Sequence, residues 1–381
     1  MKIAIDSWTL GSRFRYQGTY VYAQSVVEEF RKIAQRRSDL EFCLFSGSGG
    51  SNDARLLESG AGISVSSSRL LNYTRLWRLG GMGRAAACVR ADLVFIPAAG
   101  TAPVSRLPVV STIHDATPLK MPSQSPRAAL LARSMMWSAA RFSQAVITDS
   151  QHSRRDLMEL YGLPESKVSV VYLGYDKSAF HPEVSDPVRY DSLLKRLRIE
   201  RPYILHHGTV QPRKNLRRLI EAWRMVLDRN PNLQFDLVLA GKLGWEYNDT
   251  VAAASEAAPH GGRVVLAGAV ETADLALLIK GAALAVAPSL YEGFCLPMIE
   301  SMACGTPTIA ASASCLPEIS GGVLRYFDPQ QVEDMAGCIE QTLEDDALRK
   351  DLSRKGIERA ACFDWGRCAS ETLAVLESVL A

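Results

Sequence analysis

Short, strongly apolar runs rich in β-branched residues alternate with longer stretches of helical spacing along almost the whole chain. That alternation is the tightest constraint on the fold, because it is satisfied by βαβ units laid on a parallel sheet. In the first half, Met1–Asp6, Leu40–Phe45, Leu93–Pro97, Val109–His114, Ala145–Thr148 and Val168–Tyr172 read as strands. Helices are expected over about Thr19–Arg36, Arg127–Phe142 and Ser150–Tyr161, with Ser150 as the cap of the last. The pattern loosens over Gly174–Arg201, where Pro182, Pro187 and mixed charges interrupt it, and this stretch reads as a linker. It restarts with a strand Tyr203–His207 and a helix Leu216–Asp228, in which Leu216, Leu219, Ile220, Trp223, Val226 and Leu227 keep helical spacing. Strands at Phe235–Ala240, Arg263–Ala267, Leu284–Ala287 and Thr308–Ala311 follow.

The chain has 381 residues, and domains run to roughly 100–200 residues each. The economical architecture is α/β, with two doubly wound, Rossmann-like parallel-sheet domains at 1–184 and 185–364 facing a central cleft. No apolar run is long enough for a membrane span, and the N-terminus meets Asp6, Arg13 and Arg15 too early for a signal sequence. A cytoplasmic chain is therefore expected. Its cysteines (Cys43, Cys88, Cys295, Cys304, Cys315, Cys338, Cys362, Cys368) form no C-x-x-C pair and read as small buried apolar residues. The histidines offer no metal-ligand spacing, so no metal is expected.

Three stretches carry chemistry. In Ala287–Pro307 a strand ends at Pro288, a loop with Gly293 follows, and Pro297 opens a short helix that Gly305 and Pro307 stop. A helix N-terminus behind a glycine loop is an anion site. Glu292 stands in the loop and Glu300 one turn into the helix, where both could accept hydrogen bonds from ligand hydroxyls. The alternative is that Glu300 complements the helix dipole and Glu292 is a solvated loop acid. In His206–Asn215 a strand again meets a helix start, with Arg213 and Lys214 adjacent and Asn215 placed to cap. Cations at a helix N-terminus oppose its dipole, so they imply either a solvated basic loop or an anionic ligand such as a phosphate. His114 leaves a strand beside Asp115, which could fix its tautomer; such a histidine is a catalyst or a structural donor. Gly47–Gly50 is not G-x-G-x-x-G, and no P-loop pattern occurs, which disfavours dinucleotide and P-loop readings.

Together these residues resemble the retaining glycosyltransferases of family 4, whose fold is GT-B. The E-x7-E pair Glu292 and Glu300 sits inside S-L-Y-E-G-F-C-L-P-M-I-E-S-M-A-C-G-T-P. G-T-V-Q-P-R-K-N-L, the T-I-H-D around His114, T-D-S-Q-H-S-R-R-D-L and the terminal D-W-G-R-C-A-S-E-T-L match as well. The resemblance implies a final helix, at about 365–381, that completes the N-terminal domain. It also implies a nucleotide-sugar donor, with Glu300 on the ribose and Glu292 on the sugar hydroxyls. Backbone N–H groups of Gly293, Phe294, Cys295 and Leu296 would meet the diphosphate and sugar. Lys214, helped by Arg213 and bounded by Thr209, would stabilise the leaving diphosphate, and His114 and Gly18 would complete the acceptor side. No metal or cofactor is implied, because cations and helix ends take that role.

Two residues depart from the family pattern. Cys295 stands where a glycine is common, and Thr209 where many members carry an arginine. The motif style looks most like mannosyl- or rhamnosyltransferases, which implies a hexosyl transfer from GDP-mannose to a saccharide or lipid-linked saccharide in surface-glycan synthesis (lipopolysaccharide, capsule or exopolysaccharide). Alternatives are a same-fold epimerase, a phosphorylase, a transferase using a UDP- or dTDP-sugar, and a non-catalytic nucleotide-sugar-binding subunit.

The formal net charge of +2 indicates no nucleic-acid partner. It conceals an asymmetry: residues 1–180 carry 22 basic and 14 acidic side chains, and residues 181–381 carry 21 and 27. Between Gly60 and Arg90 lie Arg69, Arg75, Arg78, Arg84 and Arg90 with no acid, interleaved with Leu70, Leu71, Tyr73, Leu76 and Trp77. This segment reads as a peripheral contact with an anionic membrane, on the inner face of the cytoplasmic membrane, as a site for a lipid-diphosphate acceptor, or as an ordinary exposed helix or loop.

Overall fold

The computed structural model describes residues 1–10, 18–46, 62–67, 77–98, 105–121 and 125–381. The chain divides into two compact units, Met1–Gly174 with Asp364–Ala381, and Tyr175–Phe363.

The first unit holds a parallel sheet of seven strands: β1 (Lys2–Ile5), β2 (Glu41–Ser46), β3 (Ile63–Ser67), β4 (Leu93–Ile96), β5 (Val109–Thr112), β6 (Ala145–Thr148) and β7 (Val168–Val170). Their spatial order is β3-β2-β1-β4-β5-β6-β7. The central strands are buried on both faces, as continuous apolar runs in a helix-covered parallel sheet should be. The helix Gly18–Ala34 seals one face, with Phe30 stacked on Phe42 at 4.6 Å between ring centres. The chain leaves this unit at Gly174 and re-enters at the helix Trp365–Ser378. A Cβ on Gly174 would lie 2.3 Å from the Trp365 backbone nitrogen, so only glycine permits that approach.

The second unit holds a parallel sheet of six strands: β8 (Tyr203–His207), β9 (Asp236–Ala240), β10 (Val264–Gly268), β11 (Leu284–Ala287), β12 (Thr308–Ala311) and β13 (Arg325–Phe327). Their order is β10-β9-β8-β11-β12-β13. Every apolar position expected in the helix Leu216–Arg229 is buried, and Trp223 donates its indole N–H to the Phe235 carbonyl at 3.0 Å. The strand order reverses between β8 and β11, so the loops after these two strands flank the switch point, where open α/β sheets bind ligands.

Several features differ from the sequence reading. The stretch read as a linker contains a helix, Pro187–Leu197, and from Tyr175 onward belongs to the second unit. Pro187 starts that helix rather than interrupting it, because its first turn needs no amide donor there. Asp186 caps it by accepting from the Arg189 N–H at 3.0 Å, and Arg189 and Arg196 bind Asp274 at 2.5 and 2.6 Å. The edge strands β3 and β13 were not expected. Cys88 and Cys362 are exposed, while the other six cysteines are buried.

Trp77, read as part of a membrane-facing segment, is a core residue. Its ring meets Phe45 at 5.5 Å between centres, and its indole N–H donates to Asp6 at 3.0 Å. Arg84 and Arg90 are exposed. Arg69, Leu70, Leu71, Tyr73, Arg75 and Leu76 lie outside the described residues, as do Gly47–Gly50. Among the described residues no helix is long and apolar enough to cross a membrane.

Candidate active site

The site is built where β8 and β11 end. After β8 the chain passes through Gly208 at φ +134°, whose N–H donates to the Ala240 carbonyl at 2.8 Å. A Cβ on Gly241 would lie 1.9 Å from the Gly208 carbonyl oxygen, so β8 and β9 close together over a glycine pair. Thr209 stays partly exposed and packs its methyl group against Gly244. A short 3-10 turn, Pro212–Lys214, then places both cations, and Asn215 at φ +58° swings the chain into the next helix. Asn215 does not cap that helix as its position suggested. Its left-handed backbone turns the side chain away, and it donates to the Pro329 carbonyl at 2.7 Å while accepting from Arg218 at 3.0 Å.

The loop after β11 is stitched to this turn. The Leu290 N–H donates to the Arg213 carbonyl at 2.8 Å, and the Arg213 guanidinium donates to the Tyr291 carbonyl at 3.1 Å. Glu292 lies at the junction and is not a solvated loop acid, being 4% exposed. It pairs with Arg213 through one carboxylate oxygen and with Lys214 Nζ at 2.6 Å through the other. Ser289 donates to the second oxygen at 2.7 Å, and Ser314 accepts the Glu292 backbone N–H at 2.9 Å. Burial alone would raise the Glu292 pKa, but the two cations outweigh it and hold the carboxyl at about 2.

Beyond Glu292 the backbone runs through buried Gly293, Phe294 and Cys295 into the helix Leu296–Ala303. Phe294 turns its ring edge-on to Phe363 at 5.3 Å, so its side chain serves the core and only its backbone faces the loop chemistry. Cys295 adopts φ +74°, the left-handed conformation that glycine takes without cost, and no side chain caps the helix behind it. Glu300 approaches His207 Nδ1 at 3.5 Å, and His207 Nε2 meets Ser301 Oγ at 3.2 Å. Burial and the nearby charge of Asp176 raise the Glu300 pKa to about 7, against a smaller opposing pull from Lys214. Burial holds His206 and His207 neutral, at about 4 and about 3.

Arg213, Lys214, Glu292 and the Gly293–Leu296 backbone therefore form one cluster in the second unit, with Glu300 on the helix that continues it. His114 and Gly18 belong to the first unit. Gly18 is the exposed first residue of its helix. His114 Nδ1 meets Asp149 at 2.8 Å, Nε2 meets the Pro97 carbonyl at 3.0 Å, and Tyr22 packs edge-on at 4.8 Å. Asp149, not Asp115, therefore orients the ring; Asp115 accepts from the Thr117 N–H instead. Burial opposes the imidazolium, but the Asp149 charge and hydrogen bond prevail and raise the His114 pKa. Sequence reasoning missed Ser289, Ser314, His207, Asp149 and Tyr22. Among the described residues no group of carboxylates, histidines or cysteines could hold a metal ion.

Two family models match: glycosyl transferases group 1 over residues 194–359, and glycosyltransferase family 4 over residues 23–179. The O-antigen chain mannosyltransferase B of Escherichia coli is 30% identical over 267 residues, 69% of this chain and 68% of that protein. The chain is a family 4 glycosyltransferase. The serotype-specific mannosyltransferase WbdA of Escherichia coli is 28% identical over 237 residues, which span 60% of this glycosyltransferase and 28% of that longer protein. Sucrose-phosphate synthase of Thermosynechococcus elongatus superposes with a TM-score of 0.75 over 100% of this chain and 99% of its own, at 18% identity. Anabaena HepE in complex with UDP-glucose gives 0.75 over 99% and 100%, at 19% identity. At such identities these neighbours establish the fold, which is GT-B. The chain is thus a glycosyltransferase of the GT-B fold.

Proposed function

We propose that this glycosyltransferase moves a mannosyl unit, with retention of configuration, from GDP-mannose to a saccharide or lipid-linked saccharide acceptor of a bacterial surface glycan (lipopolysaccharide, capsule or exopolysaccharide). The mannosyltransferase relatives support the sugar. The observation that carries the chemistry is the convergence of Arg213 and Lys214 on one buried carboxylate beside an uncapped helix N-terminus.

Two cations and a set of backbone N–H groups are what a departing diphosphate needs. In this reading the donor diphosphate takes over Lys214 and Arg213 together with the N–H groups of Gly293, Phe294, Cys295 and Leu296. Glu292, released in part from its cations, accepts hydrogen bonds from the sugar hydroxyls, and Glu300 accepts from the ribose. Thr209 lines the diphosphate, and Gly18 leaves room on the acceptor side. The bond from the sugar C1 to the phosphate oxygen breaks, and C1 bonds to the acceptor oxygen on the same face. The acceptor proton passes to the departing diphosphate oxygen, so no carboxylate nucleophile is required. His114, held by Asp149, acts as a hydrogen-bond donor to the ligand by giving up the Pro97 carbonyl. With cations and helix dipoles in place, the reaction runs without a metal ion.

A thermal-shift screen of GDP-, UDP- and dTDP-sugars tests the donor, since a ligand at about 100 times its Kd adds about 2.7 kcal/mol. GDP-mannose should give the largest shift, and transfer to acceptor should persist in a metal chelator. A larger shift with a UDP- or dTDP-sugar would overturn the donor assignment. Epimerisation of donor incubated alone would overturn transfer.

A further inference from the structure

The helix Pro126–Phe142 is built with its apolar bulk facing outward. Its inward side makes contact through Met136, Ala139 and Ala140, all buried and two of them small. Its largest apolar side chains are instead exposed: Leu130 by 70%, Leu131 by 57%, Trp137 by 53% and Phe142 by 43%. No other element of the described chain leaves so many large apolar residues in water together. Helical spacing puts Leu130, Trp137 and Arg141 on one strip, and Leu131 and Phe142 on the adjoining one. The Trp137 and Phe142 rings meet edge-on at 5.7 Å between centres, which joins the two strips into one patch.

The charge on this helix has one sign. Arg127, Arg133 and Arg141 are exposed, the helix contains no acid, and none of the three makes an ion pair among the described residues. Lys167 adds a further cation where its ammonium donates to the Arg141 carbonyl at 3.4 Å. Of the acids on neighbouring elements, Glu165 pairs with Arg154 at 3.0 Å and Asp156 with Lys120 at 2.9 Å.

We propose that Pro126–Phe142 is the surface by which this glycosyltransferase lies on an anionic lipid bilayer, with Leu130, Leu131, Trp137 and Phe142 in the headgroup boundary and Arg127, Arg133 and Arg141 on lipid phosphates. A helix with aromatic and leucine side chains on one broad face and unpaired arginines along it is suited to the interfacial plane of a membrane. Arginine stems can lie along the apolar boundary while their heads reach phosphate, and Trp places its ring apolar side inward with its N–H toward water. This helix is a different element from residues 60–90, of which Trp77 is interior. Such a surface would bring the enzyme to a lipid-linked acceptor. It does not depend on which donor is used.

Co-sedimentation of the full chain with phosphatidylcholine vesicles, with and without phosphatidylglycerol, tests this. The protein should pellet with the anionic vesicles at low salt and return to the supernatant at high salt. Each of Arg127→Ser, Arg133→Ser and Arg141→Ser should lower partitioning about fivefold, the equivalent of about 1 kcal/mol per basic residue near a charged surface. The double variant Leu130→Glu with Trp137→Glu should lose at least about tenfold. Its thermal shift with GDP-mannose should match that of the unaltered chain, which separates loss of the lipid surface from misfolding or from failure of the donor assignment. Protein remaining in the supernatant with anionic vesicles, or variants that pellet unchanged, would overturn the proposal. So would a concentration-dependent dimer dissolved by Leu130→Glu, because the patch would then belong to a second copy.

Discussion

Lys214 Nζ lies 2.6 Å from Glu292 Oε1, and each side chain is only 6% exposed. A cation proposed for the leaving group and a carboxylate proposed for the sugar thus neutralise one another before any donor arrives. With Arg213 on the other oxygen, Glu292 is the hub on which both cations are stored.

Removing the hub leaves two cations without their partner. Glu292→Gln should cost about 3–5 kcal/mol, the range for breaking one side of a buried ion pair. Thermal unfolding should show the loss, and donor diphosphate should raise the melting temperature of the variant more than that of the parent. The acid limb has the same origin. The Glu292 carboxyl is held at about 2 against an ordinary 4.5, so its contribution is complete above the ordinary value and disappears as pH falls towards about 2. An unchanged melting temperature in the variant would contradict the hub.

Glu300 titrates in the opposite sense. Its folded carboxyl stands near 7 against an ordinary 4.5, so the folded chain keeps a proton that the unfolded chain has lost. Stability should therefore fall as pH rises through that window. Hydroxyl binding needs the carboxylate, so donor affinity should climb through about pH 7. Glu300→Gln should flatten that climb. Calorimetric titrations with donor across the window check both, and a flat profile in the unaltered chain would remove Glu300 from the donor contact.

Asp149 is the main group that raises the His114 pKa. Asp149→Asn should lower the His114 pKa, because the carboxylate that stabilises the imidazolium is gone while the burial that opposes it remains. Titration of the His114 ring protons by NMR reads the change directly. A pKa that stays raised would assign the shift to some other group.

The junction at Gly174 is set by backbone rather than by side chains. A methyl group there would stand 2.3 Å from the Trp365 nitrogen and 2.6 Å from the Asp364 carbonyl carbon. Gly174→Ala should cost about 1–3 kcal/mol, as overpacking typically does. Urea unfolding should show an earlier midpoint; an unmoved midpoint would mean that the two segments separate freely.

Much of the fold was legible because the central strands are buried on both faces and therefore stand out as unbroken apolar runs. β6, β8, β11 and β12 begin and end at the residues the sequence suggests. β3, Ile-Ser-Val-Ser-Ser, was not legible, since an edge strand can carry polar residues that a central strand cannot. β13 is only three residues long and opens with Arg325. Pro187 and Asn215 misled for a shared reason: each residue type suits a helix start in more than one way, and the backbone angle decides which. In the site, Arg213, Lys214, Glu292 and Glu300 were legible because short motifs place them. Ser314, which holds the Glu292 backbone from 22 residues away, and Asp149, which holds His114 from 35, are joined only by folding. No local pattern announces a partner that far along the chain.

In the proposed reaction Lys214 stabilises the departing diphosphate of a nucleotide-sugar. Steady-state mannosyl transfer from GDP-mannose by Lys214→Ala tests it most directly. Loss of one preorganised contact to the developing charge should lower kcat/KM by the equivalent of about 2–4 kcal/mol, with most of the loss in kcat. An unchanged kcat with only a raised KM would contradict it, and would leave Lys214 as a ligand of the resting donor alone.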